Sequence, residues 1–162
     1  MCKSRRNAFT LIEVLIVVII MAVLAATIIP QFTSSTKDAK MSNLKFNLHT
    51  IRSQLEMYQQ EHLNVYPPAA VAADFKNQMI QKTDQNTTLD PTAGQFGPYI
   101  TGDDIPMNPF NNSTSTVILT GDTEPTAATG SADGWQYNPK HGWFYPNNTE
   151  YFQSTGSFAN AN

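Results

Sequence analysis

Cysteine is nearly absent from this 162-residue chain, whose single cysteine is Cys2. One cysteine cannot form a disulfide within the chain, and its place in a basic leader argues against a catalytic thiol. The three histidines, His49, His62 and His141, stand apart in the sequence. No H-E-x-x-H, G-x-S-x-G or phosphate-binding loop motif occurs. We therefore expect a protein that is not an enzyme.

Positive charge is scarce beyond the start of the chain. Residues 1–8 carry Lys3, Arg5 and Arg6 and no acidic residue, whereas nine Asp and Glu face three Lys from Pro67 onward. An acidic surface repels phosphate, so we expect no binding to nucleic acid.

Charge is also missing between Phe9 and Ile29, except at Glu13. A helix of this length rises by about 31 Å, which matches one hydrocarbon core. The positive-inside rule places the basic leader in the cytoplasm and the rest of the chain across the membrane. A removable secretory signal is the alternative, since "AVLAATIIP" imitates a small-residue cleavage site. An acid in the span favours a retained segment, because a removed segment gains nothing from it.

Glu13 is the unusual feature of this span. A charge within a membrane costs a few kcal/mol on insertion scales, so an ionisable residue there is a functional hypothesis by default. The alternative is that Glu13 lies near the interface and stays hydrated.

The basic leader followed by "AFTLIEVLIVVIIMAVLAATIIPQF" resembles the processing and assembly signal of type IV pilins and type II secretion pseudopilins. The resemblance implies that a prepilin peptidase cuts between Ala8 and Phe9 and methylates the new Phe9 amine. Ala8 stands where the family usually has glycine, which we expect to slow processing. The resemblance also implies that Glu13 pairs with the Phe9 amine of a neighbouring subunit and aligns it during assembly.

Pro30 follows the span and matches the helix-breaking proline of the same family. An internal proline removes one helix hydrogen bond and kinks or loosens the helix. We therefore expect a break or bend at Pro30, between a transmembrane and assembly helix over 9–30 and an amphipathic helix over 31–66. A simple helix end at the membrane interface is the alternative.

The second segment carries one apolar stripe with alternating spacings of three and four residues. It predicts packing against a small sheet, with a coiled-coil seam as the alternative. The histidine at its end is expected to be capping or half-buried and not a metal ligand, and two prolines then end the helix. The stripe consists of Met41, Leu44, Leu48, Ile51, Leu55, Tyr58 and His62.

Residues 67–162 form the predicted head. "AAVAADFKNQMIQKT" indicates a short helix with Val71, Phe75, Met79 and Ile80 toward the core. Polar loops and short apolar runs follow, and "GWQYNPKHGWFYPN" is typical of a β-hairpin. The predicted fold is α+β and pilin-like: a long N-terminal helix packed on a head with a small antiparallel β-sheet.

Two kinds of ligand are conceivable in the head. The major pseudopilin of the family usually binds calcium in a late loop, but the available carboxylates match no ordered calcium loop, so no metal ligand is assigned. The hairpin aromatics suit cross-strand packing, with a stacking platform for sugars as the alternative. The carboxylates are Asp103, Asp104, Asp122 and Asp133.

The resemblance implies a structural subunit of a helical filament, best matched by the major pseudopilin of a type II secretion system. Implied partners are further copies of the chain, the prepilin peptidase, an inner-membrane assembly platform and minor pseudopilins. The implied location is the bacterial inner membrane, with the head on the periplasmic side, and then a periplasmic or cell-surface filament. A surface type IV pilus subunit and a membrane-tethered glycan-binding module remain alternatives.

Overall fold

The computed structural model describes residues 9–122, 124–126 and 132–155, and only the backbone of residues 30, 31, 33 and 155. The chain divides into two compact units, with the boundary between Ala39 and Lys40. We call the second unit, from Lys40 onward, the head. The elements in chain order are α1 (Leu11–Glu61), α2 (Ala72–Ile80), β1 (Thr116–Ile118), β2 (Trp135–Asn138), β3 (Trp143–Pro146) and α3 (Thr149–Thr155).

A single helix, α1, covers both predicted helical segments and continues through Pro30. Helical structure therefore does not break at Pro30, contrary to the boundary placed there. The physical reason is that proline removes only one backbone donor, and its fixed φ near −65° suits a helix. A bend of the helix axis at Pro30 stays a prediction.

The apolar stripe of α1 forms one side of the head's core. Leu44, Ile51 and Tyr58 are fully buried, and Met41 packs against the same core. The head itself covers the stripe. This burial confirms packing within the chain and not the coiled-coil alternative. This burial fixes which face of α1 stays outside.

His62 is more deeply buried than the sequence predicted. Its Nδ1 lies 2.8 Å from the backbone oxygen of Tyr58, and its Nε2 lies 2.9 Å from the Thr83 hydroxyl. Because a carbonyl only accepts, Nδ1 carries a proton and donates to Tyr58, and Nε2 makes a second hydrogen bond with the Thr83 hydroxyl. Both ring nitrogens are used inside the head, so His62 is a structural residue.

The short helix α2 buries Phe75 and Met79 as predicted, with Ile80 partly buried. Val71 was expected in the core, but it precedes the helix at the N-cap position in extended backbone and is 57% exposed. The first turn is closed by Asp74, whose carboxylate accepts from the backbone N–H groups of Ala70 and Val71. The regular spacing of core-facing residues therefore starts only after the N-cap residue.

The sheet has three strands in the order β1-β2-β3. The predicted hairpin is present, with β2 and β3 antiparallel and Tyr137 opposite Phe144. The α+β fold is thus confirmed, but the sheet is mixed and not purely antiparallel, because β1 pairs with β2 in parallel. A parallel pair needs a crossover connection, and the segment from Leu119 to Gly134 provides it.

The hairpin aromatics form the centre of the core. Trp135 and Tyr137 are fully buried. The ring centre of Phe75 lies 4.3 Å from the ring centre of Tyr137 and 5.5 Å from that of Phe144. Arg52 of α1 donates from Nε to the backbone oxygen of Phe144 at 3.0 Å. Aromatic packing and this hydrogen bond hold α1, α2 and the hairpin in one head.

Candidate functional site

The first turn of α1 is closed by a capping box. Thr10 stands directly before the helix, and Glu13 occupies its third position. The Glu13 Oε2 accepts from the Thr10 backbone N–H at 2.9 Å and from its hydroxyl at 2.8 Å, and the Glu13 N–H lies 3.4 Å from Thr10 Oγ1. This reciprocal arrangement satisfies backbone donors that a helix start leaves unpaired.

Thr10 was not among the functional residues predicted from the sequence. The signal was present, because a Thr followed three residues later by Glu and then an apolar run is the signature of a capping box. Glu13 is therefore held by its own chain before any partner arrives. Both side-chain bonds end on Oε2, and within the described residues no hydrogen bond is assigned to Oε1.

The residues of the expected cleavage site are described only in part. Phe9 immediately precedes Thr10 and is 87% exposed, whereas Ala8 lies outside the described residues. Cleavage between Ala8 and Phe9 and methylation of Phe9 stay predictions. If the cut occurs there, the new amine is one residue from the helix cap.

Nothing in the described part of the chain covers the apolar surface of α1 between Leu11 and Ile29. Val17 is 49% exposed and Ile20 is 53% exposed, values typical of residues standing out from an isolated helix. This helix is long and apolar enough to cross a membrane. Its surface therefore suits lipid or the helices of other subunits.

The four carboxylates considered for calcium do not converge. Asp104 pairs with Lys76 at 3.2 Å, Asp122 accepts from Lys140 and His141, and Asp133 accepts from a serine hydroxyl. Within the described ranges no three Asp, Glu, His or Cys side chains form a group that could hold a metal ion. Calcium binding therefore stays an untested expectation, and no ligand is assigned.

The aromatic hairpin offers little surface for a stacked sugar. Trp135 and Tyr137 are fully buried, and Tyr145 is nearly buried beneath Arg52, whose guanidinium lies 4.6 Å from the ring centre. Trp143 is half-buried and stacks on His141 at 4.2 Å. These contacts confirm packing within the head as the role of the buried aromatics.

Comparison with known families identifies one motif at the start of the chain. Residues 3–29 match the model of the prokaryotic N-terminal methylation motif. The match covers the leader and most of the apolar part of α1, including Thr10 and Glu13. No solved structure matches the chain.

Two characterised relatives carry the same name, type II secretion system core protein G. The protein from Pseudomonas aeruginosa is 36% identical over 67 residues, which are 41% of this chain and 46% of the relative. The protein from Aeromonas hydrophila is 26% identical over 112 residues, 69% of this chain and 73% of the relative. The first alignment thus spans about half of the relative's length. With the methylation motif, the long N-terminal helix and the small α+β head, these similarities support the type IV pilin and pseudopilin family for this chain.

Proposed function

We propose that this chain is the major pseudopilin of a type II secretion system, a structural subunit that polymerises into a helical filament. One observation carries the proposal. The similarity to core protein G of Aeromonas hydrophila covers 112 residues, and the first unit of this chain ends at Ala39. The similarity therefore reaches into the head, where filament subunits of different systems would differ most.

The capping box supports an assembly role for Glu13. A carboxylate among apolar residues is costly unless it is hydrogen-bonded or paired. Thr10 supplies hydrogen bonds to one oxygen in the single chain. The other oxygen can then accept the Phe9 amine of a neighbouring subunit, so that capping and pairing use the carboxylate together. Glu13 thereby aligns an incoming subunit at the filament base.

The exposed apolar surface of α1 supports storage in a membrane before assembly. In the inner membrane, lipid covers this surface, and in the filament the helices of other copies replace the lipid. The basic leader stays in the cytoplasm, where the prepilin peptidase removes it, and the head lies on the periplasmic side. Assembly then involves the inner-membrane platform and minor pseudopilins. As a pseudopilin the chain is a structural subunit and not an enzyme.

Processing and complementation test the proposal. In cells with a prepilin peptidase and a type II secretion platform, intact-mass analysis should find a chain that begins at methylated Phe9 and sediments as filaments. A peptidase-deficient strain should retain the uncut chain in the membrane. The chain should restore secretion to a strain that lacks its own core protein G, and should not restore surface pili to a strain that lacks its pilin. Restored pili without restored secretion would favour the surface pilus alternative.

A further inference from the structure

The end of α1 carries an apolar residue in a strained and exposed position. Leu63 has a φ of 55° and Asn64 a φ of 67°, and the Asn64 N–H donates to the Gln59 backbone oxygen at 2.9 Å. This left-handed helix end normally takes glycine or asparagine, because a side chain such as leucine is disfavoured there. Leu63 is nevertheless 65% exposed, so it gains no burial within its own head. Strain of this kind often marks a binding surface.

The segment that follows is free of charged side chains. We call residues 62–71 the exit loop, which connects α1 to α2 and contains no Asp, Glu, Lys or Arg. Val65 is 50% exposed and Val71 is 57% exposed. Leu63 is therefore one of three large exposed apolar side chains in a single uncharged loop.

A second stripe without charged side chains runs along α1 opposite the buried stripe, and the exposed Lys45 and Glu56 border it. The two bulky apolar residues on it are Phe46, which is 69% exposed, and Met57, which is 49% exposed. They lie 11 residues apart, close to three helical turns, so they share one face. We call this face the outer stripe, and it consists of Ser42, Phe46, Thr50, Ser53, Met57 and Gln60.

Charge restricts how two heads can meet. From Lys40 to Asn162 the chain has eleven acidic and six basic side chains, a net charge of −5. Acidic surfaces of two heads therefore repel each other, and surfaces without charged side chains avoid this repulsion. The exit loop and the outer stripe are two such surfaces, and both expose apolar side chains that association would bury.

We propose that the exit loop of one copy docks on the outer stripe of the next copy. This inference rests on the proposed assembly into a filament and names the head surfaces that meet in it. Phe46 and Leu63 are separated by about 25 Å along α1, because each helical residue rises by 1.5 Å. An antiparallel twofold pair would use both patches of two copies at once and would stop at a dimer. In a filament the same two patches form a head-to-tail contact, which repeats from copy to copy.

Cysteine cross-linking of the full chain tests the pairing. In a Cys2→Ser background, Phe46→Cys and Leu63→Cys are placed in one chain, and filaments in secretion-competent cells are treated with a short thiol cross-linker. The distance along α1 excludes a link within one chain, so the docking predicts a ladder of covalent multimers. Each single variant should remain monomeric. Dimers from either single variant, or filaments that give no ladder, would overturn the docking alone. Absence of filaments from the parent chain would overturn the proposed function together with the docking.

A matched pair of glycine variants separates docking from folding. Leu63→Gly removes a side chain that is disfavoured in a left-handed conformation and should raise the midpoint of head unfolding slightly, whereas Asn64→Gly replaces a residue that already suits this conformation and should leave the midpoint close to that of the parent. Leu63→Gly alone removes the apolar side chain, and filament yield per cleaved subunit should fall roughly ten-fold, the size expected for losing one buried leucine. Asn64→Gly should leave the yield unchanged. Equal yields from the two variants would contradict a role for Leu63 in docking.

Discussion

The two units of this chain treat apolar side chains in opposite ways. In the described part of the first unit, side chains such as Ile19 and Val23 stand more than half exposed, whereas Leu44, Phe75 and Trp135 in the head are fully buried. The head covers its own core, while the first unit presents a surface that needs lipid or another subunit to cover it. A defect in the head should therefore appear as lost stability, and a defect near the start of α1 as lost assembly.

Polar groups differ between the two units in the same way. In the first unit they bond locally, as when the Thr27 hydroxyl donates to the Leu24 backbone oxygen at 2.9 Å. In the head they bond across the chain, as when the Tyr137 hydroxyl donates to the Pro67 backbone oxygen, 70 positions away, at 2.9 Å. Local hydrogen bonding would allow this helix to pass from a membrane into the proposed filament without losing hydrogen bonds. Hydrogen bonds between distant segments hold the head in one arrangement.

The largest expected effect concerns Glu13. Glu13→Leu removes the charge and the acceptor for Thr10, so filament assembly should be almost completely lost while membrane insertion is retained or improved. Glu13→Gln keeps an acceptor for Thr10 but loses the charge, and should impair assembly strongly. Thr10→Val keeps the charge and removes the capping hydroxyl, whose loss typically costs about 1 kcal/mol, so its effect should be weaker. The measurement is sedimented filament per cleaved subunit.

Head stability is the control for these variants. All three should unfold like the parent, because Thr10 and Glu13 lie in the first unit. If Glu13→Gln assembled normally and Thr10→Val did not, capping alone would explain the acid and pairing with the amine would be wrong.

The next effect is on the head's core. Phe75→Ala should lower the free energy of unfolding of the head by about 3–5 kcal/mol, since it leaves a cavity beneath the aromatic hairpin. Val17→Ala is the matched control and should change it little, because Val17 is half exposed in the first unit. Both tryptophans lie in the head, so their fluorescence during denaturant unfolding in detergent follows this unit. A similar loss from Val17→Ala would break the contrast between the two units.

Periodic features of the sequence were predictable, and contacts between distant segments were not. The stripe of α1 and the hairpin follow from local spacing, because burial on one face of a helix or strand leaves a regular pattern. The parallel pairing of β1 with β2 joins strands separated by a polar segment, for which no local signal exists. The exposure of Val71 reflects its place at a helix cap, which periodicity does not report. The capping box at Thr10 follows from the local spacing of Thr10 and Glu13, whereas the family resemblance implies only a partner for Glu13 in another subunit.

A contact that no sequence pattern indicated supports the third prediction. Gly142 in the hairpin turn has a φ of 68°, and a Cβ there would lie 2.3 Å from the Tyr66 ring. Gly142→Ala should lower the free energy of unfolding of the head by about 1–3 kcal/mol, through backbone strain and displacement of the ring. Gly121→Ala separates the two causes, because Gly121 has a φ of 91° and open space around it. It should cost less than Gly142→Ala, and equal losses would show that the Tyr66 contact contributes nothing.

The smallest effect concerns a surface contact of the same hairpin. Hydrogen bonds from Lys140 and His141, together with their charge, hold the pKa of Asp122 below its ordinary value. A carboxyl whose pKa is lower in the folded state stabilises that state above the unfolded pKa, and the stabilisation fades as the pH falls through the lower value. Asp122→Asn should therefore reduce stability slightly at neutral pH and make unfolding less sensitive to pH below about 4. The exposed position keeps the effect small.

Thermal unfolding followed by tryptophan fluorescence between neutral pH and pH 3 measures this difference, and Asp103→Asn is a control with the same change in net charge. The difference in unfolding midpoint between Asp122→Asn and the parent should become smaller as the pH falls, because protonation removes the same charge from the parent. Asp103→Asn should follow the pH dependence of the parent more closely. If the two variants gave the same pH profile, Asp122 would affect stability only through its net charge. Its contact with Lys140 and His141 would then add no specific stabilisation between distant segments, and the contrast with the first unit would not extend to this turn.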